Sequence, residues 1–470
     1  MDHRLENWGN LSLTLSKKYG EDIALEIVAA LKELYSLYTS DVLVWCANLF
    51  DPEVGGYYYS NSGRDFDSTQ YNGKTYKLLP DLESTLQGDG FLYSSLLKTD
   101  VEKRMPEWVG EKIVKFVKGL QDKKSGYFYH PQWDKDEISK NRRGRDLQFA
   151  VRLLERYGAK PTYDTPLGTK GDGLLADGTR ADMCGAYVYI ADTNDKNANT
   201  EECVAPHLVD KESFEAYLKT LQIDPDESGT SYKIGNHFEA QGLEIVARDK
   251  VLASRGANYS LADILKKWFD DRYISETGCW AKCSPLDHGA VNGVLKICAT
   301  YNKIQKPIPD PLASMRAAIS IITRDDIVPN HVCSVLNPWY AVSMILTNVE
   351  RYQGEDNSEL SSKIERVRRE MIENYPSMIR ATARNLAKFR KPDGSFSYYV
   401  DHTSACSQGM PVANGAPNEG DLNATNICNF GIVGHIFSIL GVPIIPMFGE
   451  ADRMEFVANL QKNIKERKKG

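Results

Sequence analysis

The chain has 470 residues, of which 42% are apolar and 26% charged, and its formal net charge is −7. This composition is typical of a globular protein with a large core, and the mild negative charge provides no attraction for nucleic acid or an anionic membrane. The chain starts without an apolar signal core, and its nine cysteines are scattered. We therefore expect reduced thiols, a cytoplasmic location and a small-molecule partner.

One pattern recurs four times: an amphipathic helix, a loop rich in glycine and aromatic residues, and a second helix that opens near an acidic residue. The four loops lie at residues 55–59, 126–129, 278–280 and 394–399, and the acidic residues that follow are Asp81, Asp146, Asp287 and Asp421. Two further helices are predicted to begin at Asn236 and Asn337. Repeats of a two-helix unit predict roughly six helical pairs in one domain spanning residues 1–470.

The two helices of each pair differ in their polarity. The second helices are apolar on nearly every side, most clearly over residues 289–299 and 427–440. The first helices, such as 260–269 and 361–389, carry charge on one face. Because a helix that is apolar all round is buried, we predict an all-α fold in which the second helices form an inner layer within a closed ring.

The segment that contains Gln121, Gly126 and Tyr127 is similar to the Gln-xxx-Gly-aromatic repeat of terpenoid cyclases. The whole pattern resembles the double-layered α/α toroids, which include six-hairpin glycosidases, polysaccharide lyases, terpenoid cyclases and protein prenyltransferases. The resemblance implies an (α/α)6-type toroid with aromatic loops around a central cavity. Residues 161–230 fit the pattern least and are predicted to form an irregular insertion, with a strand-like piece at residues 186–191.

The candidate catalytic carboxylates lie at the predicted starts of the inner helices. An Asp at a helix start is often a cap that accepts hydrogen bonds from the free N–H groups of the first turn. In a ring, however, the starts of the inner helices meet at one mouth, and acid–base glycoside chemistry requires such converging carboxylates. We predict that Glu419 or Asp421 is one catalytic partner and that Asp81, Asp146 or Asp287 is the other.

Substrate-binding residues are predicted near these acids. A long polar loop from Gln408 leads into the apolar helix that starts near Asp421, and buried amides need partners that a sugar would supply. His288, Asn292 and Lys296 recur every four residues on another apolar helix, as a stripe that lines a cavity or pairs with a neighbouring helix would. The predicted binding residues are Asn236, Glu239, His288, Asn292, Asn337, Trp339, Gln408 and Asn423, with Tyr58, Tyr129 and Trp280 stacking on sugar rings.

The leading functional prediction is a glycoside hydrolase that uses paired carboxylates on an oligosaccharide or glycoside. The first alternative is a lyase or sugar epimerase in which His237 or Tyr340 moves the proton and Asn236 neutralises a uronate, roles that the resemblance implies. A terpenoid cyclase-like enzyme and a non-catalytic toroid that binds a glycan or a protein also remain open. No phosphate-binding loop, nucleophile elbow or dinucleotide fingerprint is present, so neither a cofactor nor a metal is expected.

Overall fold

The computed structural model describes residues 5–93, 104–191, 204–324, 326–352 and 358–467. These residues are mostly helical, which confirms the predicted all-α class. The helices are α1 (Leu5–Tyr19), α2 (Glu21–Tyr35), α3 (Asp41–Asn48), α4 (Asn61–Asp65), α5 (Leu82–Tyr93), α6 (Glu107–Gly119), α7 (Lys140–Arg156), α8 (Lys211–Lys219), α9 (Gly229–Ser254), α10 (Leu261–Asp270), α11 (His288–Lys303), α12 (Pro311–Ile319), α13 (Cys333–Tyr352), α14 (Ser358–Glu373), α15 (Tyr375–Ala387), α16 (Leu422–Asn426), α17 (Val433–Leu440) and α18 (Glu450–Arg467).

Short strands and irregular turns connect these helices. Three antiparallel hairpins pair β1 (Phe50–Asp51) with β2 (Gly56–Tyr57), β3 (Ser68–Tyr71) with β4 (Lys74–Lys77), and β5 (Cys406–Ser407) with β6 (Met410–Pro411). A 3-10 turn spans Pro206–Leu208, and a π-helix at Ile427–Ile432 joins α16 to α17. Within the described ranges, no helix is long and apolar enough to cross a membrane.

The interior is built from α5, α7, α9, α11, α13 and the segment from α16 to α17, which we call the central helices. Helix α5 packs against α7, α7 against α9, α9 against α11, and α11 against α13. The segment from α16 to α17 packs against both α13 and α5. These are the second helices of the predicted pairs, and α3, α6, α10, α12 and α15 each pack against one or two of them. The packing therefore places the apolar second helices next to one another.

Glycines allow α9 and α11 to approach closely. A Cβ atom added to Gly235 of α9 would lie 2.8 Å from the Cβ of Lys296 on α11. A Cβ atom added to Gly293 of α11 would overlap the hydroxyl of Ser231 on α9. Since a real Cβ has no room at either position, this interface requires glycine on both helices.

Gly293→Ala is therefore expected to lower the free energy of unfolding by about 1–3 kcal/mol, the usual effect of overpacking a filled interface. Urea unfolding measures the change. Gly9→Ala is the control, because Gly9 is an exposed residue of α1 with no heavy atom within 4 Å of the added Cβ. That variant should be neutral or slightly stabilised, as alanine favours helix. Equal stability of the two variants would contradict the close-packing argument.

The N-terminal helices are attached to the end of α17 and to the segment that follows it. Helix α2 packs against α1 and α15. The Tyr19 hydroxyl donates a hydrogen bond to the carbonyl of Leu440 at 2.9 Å, and the Lys18 ammonium donates to the same carbonyl at 3.0 Å. The Tyr35 hydroxyl donates to the carbonyl of Ile445 at 2.7 Å. The first two helices are thus fastened to the end of the last central segment.

Three predicted helix starts are wrong. Helix α7 begins at Lys140, because the Ser139 side chain accepts from the third amide of the helix, so Asp146 lies inside the helix. Helix α9 begins at Gly229, seven residues before the predicted start at Asn236. Helix α13 begins at Cys333, so Asn337 is also interior. In α7 and α9 the first turns are polar in sequence and yet helical, whereas α13 begins one turn before Asn337 within a buried stretch.

Two further local predictions are wrong. Residues 361–389, predicted as one outer helix, form parts of α14 and α15, and Pro376 in the first turn of α15 explains the break. Residues 186–191 form no strand, although Tyr189 is buried and its hydroxyl donates to the carbonyl of Ala247 at 2.8 Å. Residues 161–191 contain neither helix nor strand, whereas α8 lies within the predicted irregular insertion.

Candidate functional site

Asp421, a predicted catalytic residue, caps α16 with a fully buried carboxylate. Its Oδ1 accepts from the Ala424 amide at 2.7 Å, and its Oδ2 accepts from the Tyr398 amide and the Thr403 hydroxyl, each at 2.9 Å. Burial raises the pKa of Asp421 to about 6, against the opposing effect of these hydrogen bonds. Both oxygens are occupied by the protein, which is the arrangement of a helix cap.

The raised pKa of Asp421 predicts how stability depends on pH. The folded-state pKa of about 6 lies above the ordinary value of 3.8, so the folded protein binds the additional proton between these values. The contribution of Asp421 to the free energy of unfolding is therefore largest below about pH 4 and is lost as the pH rises to about 6. Asp421→Asn should remove this contribution while keeping a capping side chain. Thermal unfolding across this pH window tests the prediction, and an unchanged slope in the variant would contradict it.

Two other predicted acids, Glu419 and Asp287, also accept hydrogen bonds from nearby groups of the protein. The Glu419 carboxylate accepts from the amide and the hydroxyl of Ser62, the latter at 2.8 Å. Asp287 caps α11, where its Oδ1 accepts from the Ala290 amide at 2.8 Å, and its Oδ2 accepts from the Ser228 hydroxyl at 2.7 Å. The hydrogen bonds of these acids hold loops and a helix start in place.

Asp81 and Asp146 come together around a buried arginine. The Arg142 guanidinium donates from Nε to both Asp146 oxygens, at 2.9 and 3.0 Å, and from Nη2 to Asp81. Glu83 lies 3.6 Å from Arg142 Nη1, and His130 lies 3.3 Å from Asp146. All five side chains are at most 1% exposed. The structure therefore assembles two of the predicted acids into an internal ion-pair network.

A second charged cluster retains access to solvent. Glu239 on α9 lies 2.6 Å from the Lys303 ammonium, 3.5 Å from that of Lys296, and 3.9 Å from the Arg145 guanidinium. Arg145 also donates to Glu83 on α5. Burial acts to raise the pKa of Glu239, but the three cations outweigh it and hold that pKa well below its usual range. Glu239 is therefore an ionised carboxylate at neutral pH.

Tyr340 on α13 is near enough to Glu239 for the charge of that carboxylate to act on its phenol. Its ring stacks on that of His435 in α17, with centroids 4.2 Å apart and planes inclined by 19°. Burial, assisted by the charge of Glu239, raises the pKa of Tyr340 to about 12, and Arg152 and Arg145 act in the opposite direction. Burial lowers the pKa of His435 to about 4. At neutral pH the phenol is protonated and the imidazole is uncharged.

Glu83, Arg145, Glu239, Lys296 and Tyr340 are contributed by α5, α7, α9, α11 and α13, and we call them the central cluster. Arg145, Glu239 and Lys296 keep 14–15% of their side-chain surface accessible, although the cluster lies among the central helices. No known protein family, curated protein or solved structure matches this chain. The function of the central cluster is therefore inferred from the chemistry of its own residues.

A hairpin covers one end of the central cluster. The Ser407 hydroxyl, in β5, donates to Glu83 at 2.7 Å. Gln408 adopts a positive φ of 52°, and its Oε1 accepts from Asn141 of α7 at 2.6 Å and from Asn236 of α9 at 3.1 Å. The predicted binding residues Gln408 and Asn236 thus lie together beside the cluster, at the N-terminal ends of two central helices.

Other predicted polar residues pair with the protein itself. The Asn337 amide donates to Asn292 at 2.8 Å, and both are buried. Asn423 accepts from the Gln87 amide at 2.9 Å. His237 lies 2.8 Å from the Tyr217 hydroxyl, in a group that also includes His207 and Gln241, and burial lowers its pKa to about 3. His237 belongs to this separate group on the side of α8.

The aromatic residues that were predicted to bind the sugar divide into a fully buried set and a half-buried set. Trp280 and Trp339 are fully buried, and each indole N–H donates to a protein oxygen, at 2.9 and 3.0 Å. Tyr58 and Tyr129 are half-buried; the Tyr58 hydroxyl donates to a carboxylate at 3.0 Å, and a lysine ammonium lies 4.8 Å above the ring of Tyr129. His288, the first residue of α11, is half-buried, and burial lowers its pKa.

The structure also contains features away from the central helices. A cavity of about 660 Å³ lies between α12, α14 and α15, where Arg316, Glu370, Arg380 and Arg384 line it together with apolar side chains. It includes none of the predicted site residues. Among the residues that the structure describes, no group of three or more His, Cys, Asp and Glu side chains could hold a metal ion.

Proposed function

We propose that this protein is a carbohydrate-active enzyme that binds a small sugar or glycoside at the central cluster, within an (α/α)6-type toroid. The toroid is supported by the packing of the central helices, each of which contacts two others in an order that returns to α5. A central space is supported by the side chains of Arg145, Glu239 and Lys296, which are surrounded by helices and yet partly accessible. Unoccupied polar surface of this kind suits a ligand with many hydroxyl groups.

The observation that carries the proposal is that Arg145 contacts two carboxylates from different helices, Glu83 and Glu239. Because both reach one guanidinium, their nearest oxygens are no farther apart than about 9 Å, and catalytic carboxylates of glycosidases are about 5–9.5 Å apart. This pair replaces the helix-start acids of the sequence prediction. Hydrolysis remains the leading reaction, with Glu239 as the carboxylate that acts on the sugar and Glu83 as the carboxylate that holds Arg145 in place.

The protonation states suggest how the reaction is divided. Glu239 is ionised, so it accepts a proton from the attacking water or acts on the anomeric carbon. Tyr340 is protonated beside it and donates a proton to the oxygen of the leaving group. Glu83 is held by Arg142, Arg145 and the Ser407 hydroxyl. It fixes the Arg145 guanidinium in the position between Glu83 and Glu239.

Elimination or epimerisation is the second candidate, and the presence of an ionised Glu239 together with a protonated Tyr340 favours it. Both reactions move a proton on a sugar carbon and require a base and an acid on the two sides of the substrate. Glu239 and Tyr340 provide an ionised and a protonated group on different helices. Neither reaction requires a second carboxylate, so these two groups suffice.

Product analysis separates the reactions. The purified protein is incubated with a panel of neutral and acidic oligosaccharides and glycosides, and the products are analysed by mass spectrometry. Hydrolysis adds one water across the cleaved bond, elimination cleaves without water and leaves a double bond, and epimerisation leaves the mass unchanged. Turnover of at least one sugar is expected. If no sugar in the panel is turned over and none raises the unfolding temperature, the proposal is wrong.

A further inference from the structure

Four buried polar atoms in and beside the central cluster have no hydrogen-bond partner within the parts of the chain that the structure describes. Two belong to α7, at positions 141 and 145, and two belong to α9, at positions 236 and 239. Three are acceptors and one is a donor: Asn141 Oδ1, Asn236 Oδ1, Glu239 Oε2 and Arg145 Nε. Native proteins pair nearly all of their buried polar atoms, so four unpaired atoms on two neighbouring helices indicate a place where a ligand binds.

These four residues lie close together on the facing sides of α7 and α9. Asn141 and Arg145 are four residues apart, and residues at this spacing lie on one face of a helix. Asn236 and Glu239, three residues apart, share a face of α9 in the same way. Arg145 Nη1 lies 3.9 Å from Glu239 Oε2 across the two helices. Asn141 and Asn236 donate to one atom, Gln408 Oε1, at 2.6 and 3.1 Å. We call these four residues the α7–α9 patch.

Glu239 presents one free oxygen to the α7–α9 patch. Its Oε1 accepts from the Lys303 ammonium at 2.6 Å. The cations nearest to Oε2, Lys296 Nζ and Arg145 Nη1, lie 3.5 and 3.9 Å away. They compensate the charge of Oε2 without donating a hydrogen bond to it. Oε2 is therefore the oxygen that can accept a proton or act on a sugar, and the other three unpaired atoms surround it.

The unpaired atoms beside Glu239 select for hydroxyl groups. The oxygens of Asn141 and Asn236 need a donor, Arg145 Nε needs an acceptor, and a hydroxyl group can act as both. A carboxylate has no proton to donate, and a carboxylate or a phosphate would place negative charge beside the ionised Glu239. An ammonium group cannot accept from Arg145 Nε. The part of a ligand that binds at the α7–α9 patch is therefore uncharged and carries several hydroxyl groups.

The tip of the β5–β6 hairpin covers the α7–α9 patch. The Gln408 side chain occupies the amide nitrogens of both asparagines, and its carbonyl accepts from the Ser139 hydroxyl at 2.8 Å. The next residue, Gly409, is exposed, and a Cβ added there would meet no heavy atom within 4 Å. The tip is therefore bonded on its inner side and open on its outer side, which leaves room for outward movement. Once Gln408 withdraws, each asparagine offers one donor and one acceptor, and a sugar hydroxyl can use both.

We propose that a subsite for an uncharged sugar ring is formed by Asn141, Arg145 and Asn236 beside Glu239. The hydroxyl groups of the ring take the place of the Gln408 side chain. This inference rests on the proposed function, because Glu239 belongs to the central cluster. It makes the sugar unit next to Glu239 a neutral one, rather than a uronate or a sugar phosphate, and it makes Gln408 an internal competitor of the substrate.

Opposite effects of two variants test the inference. Glucose, galactose, mannose and xylose are titrated into the wild-type protein, Asn236→Ala and Gln408→Gly, with calorimetry as the readout. Asn236→Ala removes two hydrogen bonds to the sugar and should weaken the sugar that binds best by roughly 10- to 100-fold. Gln408→Gly removes the competing side chain and should tighten the same sugar by about 2- to 10-fold.

Both variants suit the local backbone. Alanine favours the helix at position 236, and glycine suits the positive φ at position 408. Asn10→Ala is the control, because Asn10 is an exposed asparagine of α1, and it should bind sugar as the wild type does. Unfolding temperatures of all variants show that each is folded.

The outcomes separate this inference from the proposed function. If Asn236→Ala and Gln408→Gly change the affinity in the same direction, the asparagines only fasten the hairpin and the inference is wrong. It is also wrong if glucuronate or glucose 6-phosphate binds to the wild type more tightly than every neutral sugar. Either result leaves the proposed function unaffected. If a neutral sugar binds with the expected pattern but no glycoside is turned over, the subsite stands and the proposed enzymatic function is wrong. If neither neutral nor acidic sugars bind to the wild type, both are wrong.

Discussion

Replacing Glu239 with glutamine is expected to reduce turnover of an accepted sugar by roughly 10²–10⁴-fold, the range that a positioned acid or base contributes. Glutamine keeps the shape of the side chain, but its amide cannot accept a proton. The three cations around position 239 also lose their counter-charge, so the pKa of Lys303, which burial already lowers, should fall further. Steady-state kinetics and urea unfolding of the same preparation separate lost chemistry from lost stability.

Glu365→Gln is the matched control, because Glu365 is a carboxylate of α14 on the outer surface and pairs with arginines of its own helix. It should keep full turnover and stability. Glu239→Asp retains the charge and should recover part of the activity if the reaction needs a carboxylate. A Glu239→Gln variant that folds and keeps its kcat within a few-fold of the wild type would remove Glu239 from the mechanism.

Arg142→Met is expected to destabilise the protein by about 3–5 kcal/mol, the usual effect of removing one partner from a buried ion pair. Arg142 is fully buried and has Asp81, Glu83 and Asp146 around it. Methionine fills much of the volume but provides no charge, so three buried carboxylates lose their shared cation. The free energy of unfolding in urea measures the effect.

The sign of the pH dependence tests the cause. Without the guanidinium, three buried carboxylates lie together with no shared counter-charge, so taking up protons relieves their repulsion in the folded variant. Arg142→Met should therefore recover stability, relative to the wild type, as the pH falls from 7 towards 5. Arg324→Met removes an exposed pair with Asp326 and should change stability by less than about 1 kcal/mol. A small, pH-independent loss in Arg142→Met would contradict the ion-pair account.

The helical fold could be predicted because the spacing of apolar residues indicates which faces of a helix are buried. Residues 289–299 and 427–440 lack charged faces, except for Lys296, and they lie in buried stretches of α11 and of the segment from α16 to α17. The helix starts could not be placed to the residue. Polar first turns such as residues 140–146 resemble loops in sequence, and a buried pair such as Arg142 with Asp146 is visible only after folding.

The candidate site was harder to predict because one residue type serves two purposes. Asp421 at a helix start fits a cap and a catalytic acid equally well in sequence, and only the hydrogen bonds to both oxygens distinguish the two. Arg145 and Glu239 lie in helix interiors, where a charged residue is normally solvated. Glu239 was predicted as a binding residue, whereas Arg145 was missed; the signal that could have identified Arg145 is its spacing of four from Phe149, on a helix whose other side is rich in buried residues.

The hydrogen bond from Tyr19 to Leu440 joins residues 421 positions apart. During synthesis, the ribosome adds about 5–20 residues per second, so Tyr19 emerges roughly 20–80 s before Leu440 does. For most of that interval α15 (Tyr375–Ala387), against which α2 packs, has not yet been translated. This protein therefore acquires its last tertiary contacts only after nearly all of it has been translated, and part of the apolar surface of its first helices stays uncovered until then.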